Sequence, residues 1–181
     1  MRAASVLILA AALAVGVVAG WLAARGTASS ETVTETATAA VPAQGIPDAV
    51  ETTRAALLAA AESGDYEELR PLVPERLRYT FGSPVEGGAI AYWQELERTT
   101  DARPLETLAE ILRMPYVLSR GLYVWPWAYT IESAADLSAH ERALLAALGP
   151  VETLFPPGSG YLGWRTGIEP DGDWAFFVAG D

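Results

Sequence analysis

The chain has 181 residues with no cysteine and one histidine, His140, and all 12 of its basic residues are arginine. This composition excludes disulfides, thiolate nucleophiles and Cys-rich or multi-His metal sites. It also excludes chemistry that needs lysine, such as Schiff bases, P-loop phosphate binding and Ser-x-x-Lys acylation. The net charge of −11 opposes phosphate backbones and anionic head groups, so no nucleic-acid partner is expected. With no cysteine, no lysine and one histidine, no metal or cofactor is expected either.

Ser5 to Ala24 carries no charge and follows Arg2 and the amino terminus. Twenty apolar residues match the thickness of a bilayer core as a helix. The basic start, set against Glu31 and Glu35, places the N-terminus in the cytoplasm and the remainder outside. Residues 1–25 thus read as a transmembrane anchor, with Trp21 at the level of the outer aromatic belt. The alternative is a cleaved signal peptide ending near Gly26-Thr27-Ala28, although the apolar run is longer than signal h-regions. Ala12, Gly16, Gly20 and Ala24 recur every fourth residue, and small residues on one stripe allow close helix approach, hence a possible homodimer through Gly16 and Gly20. Arginine without lysine on an alanine-rich background suggests a GC-rich bacterial genome. The expected location is therefore the bacterial inner membrane, single-pass, with the domain outside; the alternative is a secreted or periplasmic protein after cleavage.

Residues 26–47 are rich in Thr, Ala, Ser, Pro and Gly and have little to bury, which predicts a disordered tether. The domain is expected over 48–181. It holds every acid but Glu31 and Glu35 and every arginine but Arg2 and Arg25. A first helix runs from Pro47-Asp48 to about Glu62 with Val50, Thr53, Leu57, Ala60 and Ala61 on one face, stopped by Gly64. Asp65 to Glu68 has capping-box spacing for a short second helix, limited by Pro71 and Pro74. Leu77 to Phe81 alternates and predicts a half-buried strand. After a loop from Gly82 to Gly88 come a helix with Ile90, Trp93 and Leu96 inward and another from Pro104 with Leu105, Leu108, Ile111 and Leu112 inward, barred by Pro115. Tyr116–Leu118 and Leu122–Trp125 flank Ser119-Arg120-Gly121 as a hairpin. Leu137–Leu148 predicts a helix with a Ser138/Glu141 capping box and a Gly149-Pro150 stop. Val151–Gly160 reads as a Pro/Gly-rich loop.

The last stretch, Tyr161 to Asp181, predicts two strands around Pro170-Asp171-Gly172-Asp173, a turn built from fixed φ, side-chain bonding and a glycine at φ > 0. Trp164, Thr166 and Ile168 share one face; Trp174, Phe176 and Val178 alternate with Ala175, Phe177 and Ala179. Helices early and strands late give an α+β fold, an antiparallel sheet packed by several short helices.

No residue pattern predicts a catalytic group. Gly158-Ser159-Gly160-Tyr161-Leu162-Gly163 matches GxGxxG by letter, but a strand follows it where dinucleotide binding needs a helix. Asp171-Gly172-Asp173 lacks the later ligands of a calcium loop. Trp125 and Trp127, beside Pro126, form the densest aromatic cluster; such residues stack on sugars or apolar ligands when exposed, and pack in cores otherwise. Arg165 could clamp a carboxylate bidentately, or lie on the solvent face paired with a cross-strand acid. The candidate ligand-binding residues are Tyr79, Trp93, Trp125, Trp127 and Arg165. His140 is expected to be exposed.

Ala60 to Leu69, a Pro-bearing link and Tyr79 with Phe81 resemble the entry of nuclear transport factor 2-like domains. The ending, Gly160-Tyr161-Leu162-Gly163-Trp164-Arg165 through Asp171-Gly172-Asp173-Trp174 to Phe177-Val178-Ala179-Gly180-Asp181, is similar to that of small exported bacterial proteins of unknown function. The second resemblance implies no activity. The first implies a pocket between sheet and helices, used by enzymes of that fold with an acid or tyrosine. Two functions follow as expectations: a membrane-tethered extracytoplasmic binding or interaction domain of the envelope, non-catalytic, with a protein or small-molecule partner; and, as the alternative, a small-molecule-binding hydrolase or isomerase.

Overall fold

The computed structural model describes residues 45–180. The expected anchor at 5–24, its Gly16/Gly20 stripe, the signal-peptide alternative and the tether up to residue 44 lie outside the described residues. Among the described residues no helix is long and apolar enough to cross a membrane. Ile46, within the stretch expected to be tether, packs against the main core.

The first helix, α1 (Asp48–Ser63), ends at Gly64, whose φ of 70° makes the left-handed stop that glycine adopts without a Cβ clash. It buries Val50, Leu57, Ala60 and Ala61, the expected stripe. Thr53 spends its hydroxyl on the carbonyl of Gly172 at 2.7 Å, tying the helix to the distant C-terminal turn. Next comes α2 (Tyr66–Leu69), capped by the Asp65 carboxylate, which accepts from Glu67 N at 2.8 Å. The expected reciprocal half of a capping box is absent here: the Asp65 N–H bonds Ser63 Oγ instead. A 3-10 turn over Arg70–Leu72 follows. Then come α3 (Gly88–Thr99), burying Ile90 and Trp93, and α4 (Pro104–Arg113), burying Leu105, Leu108, Ile111 and Leu112.

The sheet is a four-stranded antiparallel meander, β1 (Val117–Ser119), β2 (Leu122–Trp125), β3 (Arg165–Ile168) and β4 (Trp174–Val178), in sequence order. β1 and β2 join through two residues, Arg120 at φ 52° and Gly121 at φ 83°. Two positive φ values in a two-residue loop match the right-handed twist of the strands. Between β2 and β3 the chain forms 3-10 turns at Trp127–Thr130 and Ala134–Asp136, then α5 (Ala139–Leu145) continuing as a 3-10 turn to Leu148. The Ser138/Glu141 capping box forms in full. Val151–Gly160 is not all loop: Pro150, free of N–H duty at a helix start, leads into α6 (Val151–Leu154).

Two expectations about the strands are corrected. Leu77–Phe81 is not a strand. Arg78 alone bridges β4, donating its N–H to Ala175 O and accepting from Phe177 N, in parallel. The chain then turns away, with Thr80 Oγ1 accepting from Gly82 N and Tyr79 Oη from Val85 N. The period-2 phase of β4 is also broken. Gly167 pairs with Phe176 but Ile168 pairs with Trp174, so Ala175 has no opposite number on β3. An extra residue in one strand flips the faces on either side of it. Trp174 therefore joins Phe177 in the core, at 2% and 1% exposure, while Phe176 lies on the other face across Gly167.

The core beneath the sheet is aromatic. Trp93 packs on Phe177 and Trp174, with centroids 5.3 and 5.8 Å apart, and Tyr79 meets Trp93 edge-on at 6.5 Å. α1 and α4 close over Trp125, Ile168 and these rings. A second cluster gathers Met114, Trp127, Leu137, Leu145, Leu154, Phe155 and Tyr161 beside β1. A fully buried side chain of this size contributes about 1.5–3 kcal/mol through water-exposed area removed, so the rings outweigh any surface ion pair.

Candidate binding clefts

Tyr161, Gly163 and Trp164 open the path into β3 and leave one aromatic face partly accessible, that of Trp164. Tyr161 is buried, and its hydroxyl donates to the carbonyl of Trp164 at 2.8 Å. Burial pushes this phenol well above its ordinary pKa, although the Arg165 charge acts the other way, so the hydroxyl remains a donor. Gly163 makes the bond possible: a Cβ there would lie 2.4 Å from the Tyr161 oxygen and 2.9 Å from Leu154 Cδ2. The Trp164 ring packs on Phe177 with centroids 4.7 Å apart, yet the residue is only half-buried.

Trp164 lines two clefts that meet at Trp164 and Ala102. The larger, about 1020 Å³, runs between α1, α4 and the turn after α5. Its walls carry Glu62, Asp101, Glu106 and Glu110 against Arg103 and Arg113. Arg113 bridges Glu62 and Glu110, each at 2.7 Å, and so fixes one wall. The smaller cleft, about 430 Å³, lies between the sheet and α3 and is lined by Tyr79, Phe81, Tyr92, Leu96 and Trp164. One end of this surface is charged and the other aromatic.

Of the residues singled out in the sequence, only Tyr79 lines either cleft. Trp93 and Trp125 are fully buried in the main core, and Trp127 is buried in the second cluster. Trp93 Nε1 is buried without a hydrogen-bond partner. His140 is exposed, as expected. Trp164 and Tyr92 were missed as site residues. Their signal was weak: Trp164 sits at a glycine-thinned strand entry, where a large ring keeps one side free.

Arg165 does not lie on the solvent face, one of its two expected places. It is 8% exposed, and opposite it on β4 stands Val178, not an acid. The guanidinium lies over the rings of Phe81, at 5.4 Å, and Tyr129, at 5.7 Å. Its hydrogen bond is a long one, Nη1 to Gly163 O at 3.4 Å.

Several carboxyls are held below the usual carboxylate range by specific donors. Arg54 does this for Glu51, Arg70 for Glu67 and Arg98 for Glu95. The Ser138 hydroxyl and backbone do it for Glu141. These groups are anions at neutral pH and serve as acceptors, not as proton donors. Among the described residues no group of three or more His, Cys, Asp or Glu could hold a metal ion. Comparison of the chain with protein-family models, curated proteins and solved structures finds no match.

Proposed function

We propose that the chain is a membrane-tethered extracytoplasmic binding domain of the bacterial envelope that takes its ligand across Trp164. The carrying observation is that one half-buried tryptophan lines both a charged cleft and an aromatic one. A flat apolar ring beside convergent carboxylates and guanidiniums suits a polyhydroxylated ligand, with C–H groups on the ring and hydroxyls on the charged wall. Both clefts open to solvent, which suits capture of a segment of a longer glycan. The kinship with small exported bacterial proteins, proposed on the Gly160–Arg165 and Asp171–Asp181 motifs, agrees with that location.

The enzyme alternative needs an acid kept protonated in a closed apolar pocket. Both clefts are open, so the acids at Glu62, Asp101, Glu106 and Glu110 are not enclosed in that way. The test is titration of the detergent-solubilised full chain with cell-wall glycan fragments, read by calorimetry. Saturable heat that disappears in Trp164→Ala supports the reading. Equal affinity in the variant, or no heat from any fragment, sinks it.

A further inference from the structure

We propose that Arg165 anchors a carboxylate-binding site, which takes a monoanionic acid with an apolar or aromatic body. The site shares the Phe81 wall with the smaller cleft, but its ligand is an anion held by a guanidinium, so a benzoate titration tests it separately from the glycan reading. A guanidinium that is more than nine-tenths buried ordinarily has its donors matched by a carboxylate or by several carbonyls. Arg165 has one carbonyl at 3.4 Å and two aromatic faces, and among the described residues no carboxylate pairs with it. This holds in a chain with a net charge of −11, where acids are abundant.

The unmatched donors are not sealed in. Among the described residues, Trp93 Nε1 is the side-chain polar atom that is both fully enclosed and without a partner. The remaining Arg165 nitrogens do not fall in that class. The two rings that hold the guanidinium each border open space. Phe81, 47% exposed, walls the 430 Å³ cleft. Tyr129 walls a recess of about 600 Å³, which also contains Ser119, Arg120 and Tyr161. Arg120 there has no carboxylate partner among the described residues and supplies a second positive charge at the rim.

The planar fork of arginine fits the two oxygens of a carboxylate or of a phosphate. The field of the acidic domain decides between them, since it opposes a dianion more than a monoanion. The exposed Phe81 ring next to the fork selects for an acid whose body is apolar.

The experiment titrates the full chain with benzoate, inorganic phosphate and chloride at matched ionic strength, following Tm and binding heat. The expected result is a saturable rise in Tm with benzoate and none with phosphate or chloride beyond the ionic-strength control. Arg165→Lys keeps the charge but loses the fork, and Phe81→Ala changes an exposed side chain with little risk to folding. Both should weaken benzoate by about tenfold or more. The proposal is overturned by a flat benzoate titration, by a phosphate response equal to that of benzoate, or by undiminished affinity in folded Arg165→Lys and Phe81→Ala.

Discussion

The indole of Trp174 donates to the hydroxyl of Thr166 at 2.7 Å, with both residues buried. Thr166 in turn donates to the carbonyl of Phe176 at 2.8 Å, so one hydroxyl joins the two strands of the terminal ribbon on its core side. Ala175 is the reason they meet: the extra residue in β4 turns Trp174 to the face that Thr166 occupies. Thr166→Val removes the oxygen but keeps the shape, leaving the Trp174 N–H unmatched and the Phe176 carbonyl one donor short. A loss of about 1–3 kcal/mol is expected in urea unfolding. Adding Trp174→Phe should recover part of it, because the orphaned donor is then gone.

Trp93 presents the opposite case. Its Nε1 is buried and has no partner, so the ring contributes through packing while its N–H costs. Trp93→Phe should change stability by less than Trp93→Ala, which is expected to lose about 3–5 kcal/mol through the cavity it leaves. Parallel urea titrations of the two variants give the comparison directly. Equal losses would contradict this account of the ring as a packing element.

How far these relationships could be read from the sequence varied with their range along the chain. α1, α4, the Ser138/Glu141 cap and the Gly172 turn follow from local spacing, and the structure has them where periodicity puts them. Trp174 does not share a face with Phe176 and Val178 as the alternation predicts, because no local signal marks Ala175 as an insertion. Leu77–Phe81 has the letters of a strand, but its only pairing is with β4, nearly a hundred residues later, and the Thr80 and Tyr79 side chains bend it away after one residue. The candidate site was legible only through Tyr79. Trp93, Trp125 and Trp127 have compositions suited to ligand contact, and burial took all three.

Gly172 carries two constraints at once. Its φ is 96°, and a Cβ would lie 2.9 Å from the carbonyl oxygen of Ala49 in α1. Backbone cannot give way as a side-chain tip can, so Gly172→Ala should destabilise by about 1–3 kcal/mol. A lower urea midpoint would be the readout. Thr53→Val, which loses only the hydroxyl bond to Gly172, should cost less.

Gly163→Ala would act on the cleft without touching a charged wall. The new methyl group meets the Tyr161 oxygen and Leu154, forcing the hydroxyl off the Trp164 carbonyl. The expected outcome is a shift in tryptophan fluorescence and weaker glycan binding, with most helical circular dichroism retained. Overpacking of this kind costs about 1–3 kcal/mol. Unchanged emission and affinity would show that Trp164 is positioned by other contacts.

The acid limb of stability should report on the capped helix. In the folded chain the Glu141 carboxyl lies below its ordinary value of 4.5, mainly through the Ser138 hydroxyl and backbone. A depressed folded-state pKa stabilises above the ordinary value and ceases to do so as pH falls through the folded one. Ser138→Ala should therefore lose about 1 kcal/mol at neutral pH. Its deficit against the wild type should shrink as the solution is acidified below the ordinary glutamate range. Urea midpoints compared at neutral and acidic pH test the sign, and a deficit that grows in acid would contradict it.

The bridge made by Arg78 has one more consequence. It occupies the outer rim of β4 at the point where a neighbouring chain would begin to add a strand, and the opposite rim, β1, is three residues long. Copies crowded at high local density thus find little backbone to zip onto, and the sheet is stoppered against edge-to-edge polymerisation.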